Sequence, residues 1–180
     1  MQPTITARHC EISDTLRDRA ITVVQRLGNL ASRSLAMVAK YRGGVVPSDG
    51  AETTLDRDGG TAIAGYARAM DALDLRGGAE AVWELVADAN LYIQQAAPWA
   101  LAKAGKEAEL DAVLGALGRA LYRLAVVTSP FIPGKAQVLW RSLGLSAEAL
   151  EHAWSSLEEP PSAGLATNKP EVLFPKPPSV

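Results

Sequence analysis

Leu16, Ala20, Val23, Val24, Leu27, Leu30, Ala31, Leu35 and Val38 recur at three- and four-residue intervals, the spacing of one buried helical stripe. A cap at Ser13 or Asp14 predicts a helix running to about Lys40, stopped by Arg42-Gly-Gly-Val-Val-Pro47. Thr22, Gln25, Arg26, Asn29, Arg33 and Lys40 fall on its opposite, wet side. Residues 48–60 are rich in turn formers and predict a surface loop, followed by a helix from Thr61 to about Leu75. Gly77-Gly78 then separates a third helix over about Ala79 to Ala96, where Val82, Leu85, Val86, Ala89 and Ile93 share a face and Trp83 and Tyr92 read as packing residues.

Ala97-Pro98 closes that helix and opens a short one, because proline disfavours helical geometry before it and suits the first helical position. Trp99 therefore stands at a corner. The next long helix spans about Glu109 to Thr128, burying Leu110, Val113, Leu114, Leu117, Leu121 and Leu124. Pro133 begins another, with Ala136, Leu139, Trp140 and Leu143 inward and Gly144 as its stop. Ser146 caps a short helix over Ala147 to Trp154. From Glu159 onward lie six of the eleven prolines, so residues 159–180 read as an extended tail, with Leu173, Phe174 and Pro175 docking it on a bundle formed by residues 1–158. The fold class expected is all-α.

Composition narrows the function. At 180 residues, 48% hydrophobic, the chain can bury one real core. No run approaches the roughly 18 apolar residues of a membrane span, and the first residues lack a signal-peptide core, so a cytoplasmic location without membrane contact is expected. A lone Cys10 and two histidines, His9 and His152, exclude a Cys/His zinc cluster, and no metal is expected. Adjacent His9 and Cys10 read as incidental. No phosphate loop or dinucleotide fingerprint occurs, and acidic pairs such as Asp71 and Asp74 suit a solvated face, so no catalytic residue is assigned. The formal charge is −2, yet residues 1–44 carry seven Lys/Arg against three acids and residues 99–141 six against three. Locally basic surface on a mildly acidic protein fits contact with a few phosphates at a defined place, not coating of a DNA duplex.

Asn29 and Arg33, four apart, project from one helical face and offer directional hydrogen bonds. Trp99 offers a flat stacking surface. Together these suit an unpaired nucleotide. Leu27-Gly-Asn-Leu-Ala-Ser-Arg33 and Tyr92-Ile-x-x-x-Ala-Pro-Trp99-x-Leu-Ala-Lys103 resemble the anticodon-binding domain of methionyl-tRNA synthetases, a class I aminoacyl-tRNA synthetase family. Lys40-Tyr-x-Gly-Gly-Val-Val-Pro47, Asp71-x-Leu-Asp-Leu75, Leu124-Ala-Val-x-x-Ser-Pro-Phe-Ile-Pro133, Trp140-x-x-Leu-Gly-Leu145 and Leu173-Phe-Pro175 extend the similarity in order along residues 27–175.

That resemblance implies a helix bundle that recognises the CAU anticodon of methionine tRNA, with Asn29 and Arg33 on the first anticodon base and Trp99 stacked on an anticodon nucleotide. Asn90, Gln94 and Pro98 would set the geometry around it; Gln94 stands where the family commonly has an acidic residue. The H-I-G-H and K-M-S-K-S type motifs of adenylate formation are absent from these 180 residues. ATP and methionine would bind a separate catalytic domain, this chain holding no cofactor and being inactive alone. The competing expectation is a synthetase-derived module that docks proteins without binding tRNA.

Overall fold

The computed structural model describes residues 14–48, 51–146, 150, 153–157, 160, 164–168 and 172–174. His9, Cys10, the Ser13 cap and Pro175 lie outside them, as does most of the helix expected after Ser146; what is described there is a 3-10 turn over Ala153–Ser156. Helix α1 spans Asp14–Arg42. Leu27, Leu30, Ala31, Leu35 and Val38 are buried along it while Thr22, Arg26, Asn29, Arg33 and Lys40 are exposed, as the periodicity requires. Gly43 and Gly44 end it at φ of 60° and 87°, and the Gly44 amide reaches back to the Val38 carbonyl at 3.2 Å.

Helix α2 corrects the expected loop. It spans Thr54–Asp71, beginning seven residues before Thr61, and the Asp-Gly-Gly run lies inside it. Thr53 caps it reciprocally with Asp56: the Thr53 amide donates to the Asp56 carboxylate at 2.9 Å and the Asp56 amide donates to the Thr53 hydroxyl at 3.4 Å. Tertiary contact supplies the rest. Arg119 grips the Asp56 carboxylate with two bonds of 2.6 and 2.8 Å, and Arg123 crosses Gly59 so closely that a Cβ there would lie 2.6 Å from its Nη1. Glycine, read as a loop former, is here the seat of a buried arginine.

Helix α3, Leu75–Ala96, also starts earlier than expected, four residues before Ala79. The break falls at Ala72–Asp74, where Leu73 takes φ 59°, and Asp74 caps α3 by accepting the Gly77 amide at 2.9 Å. Gly77 and Gly78 lie in its first turn, with Gly78 facing Met70. Trp83 and Tyr92 pack on the core, as read from sequence.

Helix α4, Pro98–Lys103, precedes α5, Glu107–Thr128, which is buried almost all round from Val113 to Thr128. Helix α5 is the axis on which the others pack. Arg42, at the end of α1, ties to its first turns through Glu107, at 2.7 Å, and Asp111. Helix α6, Pro133–Ser142, seats Trp140 beside Tyr122, ring centres 4.9 Å apart, and the indole donates to the Ser146 carbonyl at 2.7 Å.

The chain after α6 returns across the bundle. Val46 donates to Leu165, Thr167 to Gly44 and Asn168 to Ser142, at 3.0, 2.7 and 3.0 Å. Leu173 is buried in the main core, and Phe174 lies on α1 at Gly28, where a Cβ would be 3.1 Å from its Cδ2.

Candidate functional site

A polar ridge needs a fixed helix beneath it, and α1 is held on two sides. On one side the Asn90 amide of α3 donates to the Val86 carbonyl at 2.8 Å and to the Arg26 carbonyl at 3.4 Å. On the other, Phe174 fills the notch at Gly28. At 100° per residue the face between these supports carries Asn29, Arg33 and Lys40, all exposed. Neither Asn29 nor Arg33 is drawn into the core. Among the described residues Arg33 has no carboxylate partner, whereas Arg42, Arg76, Lys106 and Arg119 each have one.

Only Ala72–Asp74 separates α2 from α3, and α3 meets α1 through the bond from Asn90 to the Arg26 carbonyl. Asn90 fixes their register at Arg26. Farther along, Leu101 of α4 and Met37 of α1 pack on one small cluster of Val38, Val46, Leu110 and Leu114. Trp99 stands two residues before Leu101 in α4. It is 48% exposed, against 1% for Trp140, so it is no core anchor.

The corner beneath Trp99 is built by two residues. Pro98 is buried at the first position of α4, and Ala97 adopts φ 44°, ψ 60°, a left-handed conformation that costs an L-residue roughly 1–2 kcal/mol. Packing of Pro98 and the bond from the Ala97 amide to the Ile93 carbonyl, 3.1 Å, hold it there. Gln94 is exposed on α3, one turn beyond Asn90, and its side chain has no hydrogen-bond partner among the described residues. The structure thus bonds Asn90 to α1, buries Pro98 and leaves Asn29, Arg33, Gln94 and Trp99 at the surface.

Sequence reasoning did not single out Gly28. Its signal was a glycine inside an otherwise regular helix, a common mark of close approach by another segment. Among the described residues no group of three or more acidic, histidine or cysteine side chains could hold a metal ion, and no helix is long and apolar enough to cross a membrane.

An all-α bundle around one buried helix is the architecture of the helical anticodon-binding domains of aminoacyl-tRNA synthetases. Residues 44–178 match the family described as the anticodon binding domain of methionyl tRNA ligase, and the chain belongs to that family. Methionine–tRNA ligase of Mesorhizobium japonicum is 37% identical over 154 residues, covering 83% of this chain and 30% of the relative; that of Streptomyces coelicolor is 39% identical over 166 residues with the same coverage. The apo methionyl-tRNA synthetase of Mycobacterium tuberculosis superposes with a TM-score of 0.81 at 27% identity, over 93% of this chain and 36% of that one. The chain spans about three-tenths of the length of these curated relatives.

Proposed function

We propose that this chain is the tRNA-recognition module of a methionine–tRNA ligase and reads the CAU anticodon of methionine tRNA. The observation that carries this reading is the exposed Trp99 at the corner just past α3, the helix that Asn90 ties to α1, where Asn29 and Arg33 are exposed. Asn29 and Arg33 would hydrogen-bond the first anticodon base, a cytosine, and a wrong base would leave polar groups unpaired. Trp99 would stack on an anticodon nucleotide. Adenylate formation, with ATP and methionine, would belong to a catalytic domain outside these residues. The polar ridge is open and charged, which suits RNA better than apolar protein docking.

Titration with methionine anticodon stem-loops tests the reading. A stacked base contributes about 1–3 kcal/mol, so Trp99→Ala is expected to weaken binding at least about tenfold. Arg33→Gln is expected to lose preference for CAU over UAU. Failure of the unmodified protein to bind the CAU stem-loop, or binding insensitive to salt, would remove the function and favour a protein-docking module. Unchanged affinity in Trp99→Ala would remove only the stacking role.

A further inference from the structure

The ridge on α1 carries more charge than base reading needs. Arg26, Arg33 and Lys40 are seven residues apart, so each step advances roughly 10 Å along the helix and turns it by only about 20°. All three are exposed. Among the described residues none of them pairs with a carboxylate; the Lys40 ammonium lies 5.1 Å from the centre of the Tyr41 ring, a contact that leaves its charge intact. Two supports keep this row straight where it matters: the Asn90 amide on the Arg26 carbonyl and Phe174 at Gly28. Elsewhere the charge is negative: Asp88 of α3 lies near Asp58 and Glu84, and burial together with those two neighbours pushes its carboxyl up. A polyanion is thus favoured along α1 and disfavoured where Asp58, Glu84 and Asp88 gather.

We propose that Arg26 and Lys40 are phosphate-positioning residues, gripping the RNA backbone on either side of the base held at Asn29 and Arg33. The assignment rests on the anticodon reading above. It divides the row by role: Arg33, one turn from Asn29, reads a base, while its neighbours two turns away on each side set where the strand lies. An arginine and a lysine suit this, because a flexible cation can follow a backbone that carries no sequence information.

Salt titrations of CAU and UAU anticodon stem-loops, run on the intact 180-residue chain, separate the roles. Each contact to a single strand contributes about 0.7 to the slope of log K against log salt, equivalent to roughly fivefold at 0.1 M salt and nothing near 1 M. Arg26→Gln and Lys40→Gln are each expected to lower the slope by that amount and to weaken both stem-loops by the same factor. Arg68→Gln, an exposed cation on α2 away from the row, is the control and is expected to leave the slope unchanged.

If the unmodified protein prefers CAU but Arg26→Gln and Lys40→Gln behave like the control, the backbone track is wrong and the anticodon reading stands. A change in the CAU-to-UAU ratio in either variant would make that residue a base reader and overturn its assignment. If the unmodified protein binds neither stem-loop, the anticodon reading fails and the track fails with it.

Discussion

Asp56→Ala is expected to lower unfolding stability by about 3–5 kcal/mol, read from the midpoint of a urea melt. Two structures depend on that carboxylate. It completes the cap of α2 with Thr53, and it receives two bonds from Arg119, the pair's side chains being only 9% and 12% exposed. Removing it leaves the Arg119 guanidinium under α2 with no counter-charge, beside the buried Arg123. An unpaired buried charge, more than the lost bond, makes the effect large. A loss below about 1 kcal/mol would mean that water reaches Arg119 and that the pair behaves as a surface one.

Acid should expose the same dependence. Burial pushes the Asp56 carboxyl up, but bonds from Arg119 and from the Thr53 amide and hydroxyl, with the Arg119 charge, outweigh it and hold the group below its ordinary value. A carboxyl depressed in the folded state stabilises above the unfolded pKa, about 3.9, and loses that contribution as pH falls through the lower folded value. The stability gap between the natural protein and Asp56→Asn should therefore be level at neutral pH and narrow below about pH 4. A gap unchanged down to acid unfolding would contradict the linkage.

Gly144→Val is the second large effect, expected at roughly 3 kcal/mol. Gly144 has φ 80°, where an L-residue costs about 1–2 kcal/mol and a β-branched one is worse. A Cβ there would also overlap the Ala166 carbonyl oxygen, and backbone displaced by an added side chain costs about 1–3 kcal/mol more. Relief comes by lifting residues 164–168 off the end of α6. Hydrogen exchange should then show the amides of Val46, Thr167 and Asn168, which bond to Leu165, Gly44 and Ser142, losing protection before those of α5. Full protection at those three amides would show that the segment tolerates the side chain.

The elements most legible in the sequence were those whose signals are local. The α1 stripe, the Ala97-Pro98 corner, the end of α5 before Ser129-Pro130 and the stop at Gly144 depend on periodicity, proline and glycine within a few residues. The starts of α2 and α3 were misplaced because glycine was weighed as punctuation. Gly59 is helical because Arg123 needs its missing side chain, and Gly77 because Asp74 caps the turn that contains it. Helix α5, distant in sequence, supplies what local propensity withholds at Gly59. At the candidate site, the wheel correctly set Asn29 and Arg33 outward, and the corner left Trp99 exposed. The register through Asn90 and the seat of Phe174 depend on which helices lie side by side, which periodicity does not specify.

The return of the chain across the bundle has a temporal consequence. Thr167 bonds to the Gly44 carbonyl 123 residues earlier, and Phe174 presses on Gly28, so α1 receives its outer support from residues made long after it. Contacts so distant along the chain close late in folding, after the entropy of the intervening loop has been spent. A nascent chain stalled before Phe174 would expose the notch at Gly28 with the rest of α1 already formed. Support of the polar ridge on α1 thus waits for the synthesis of Phe174.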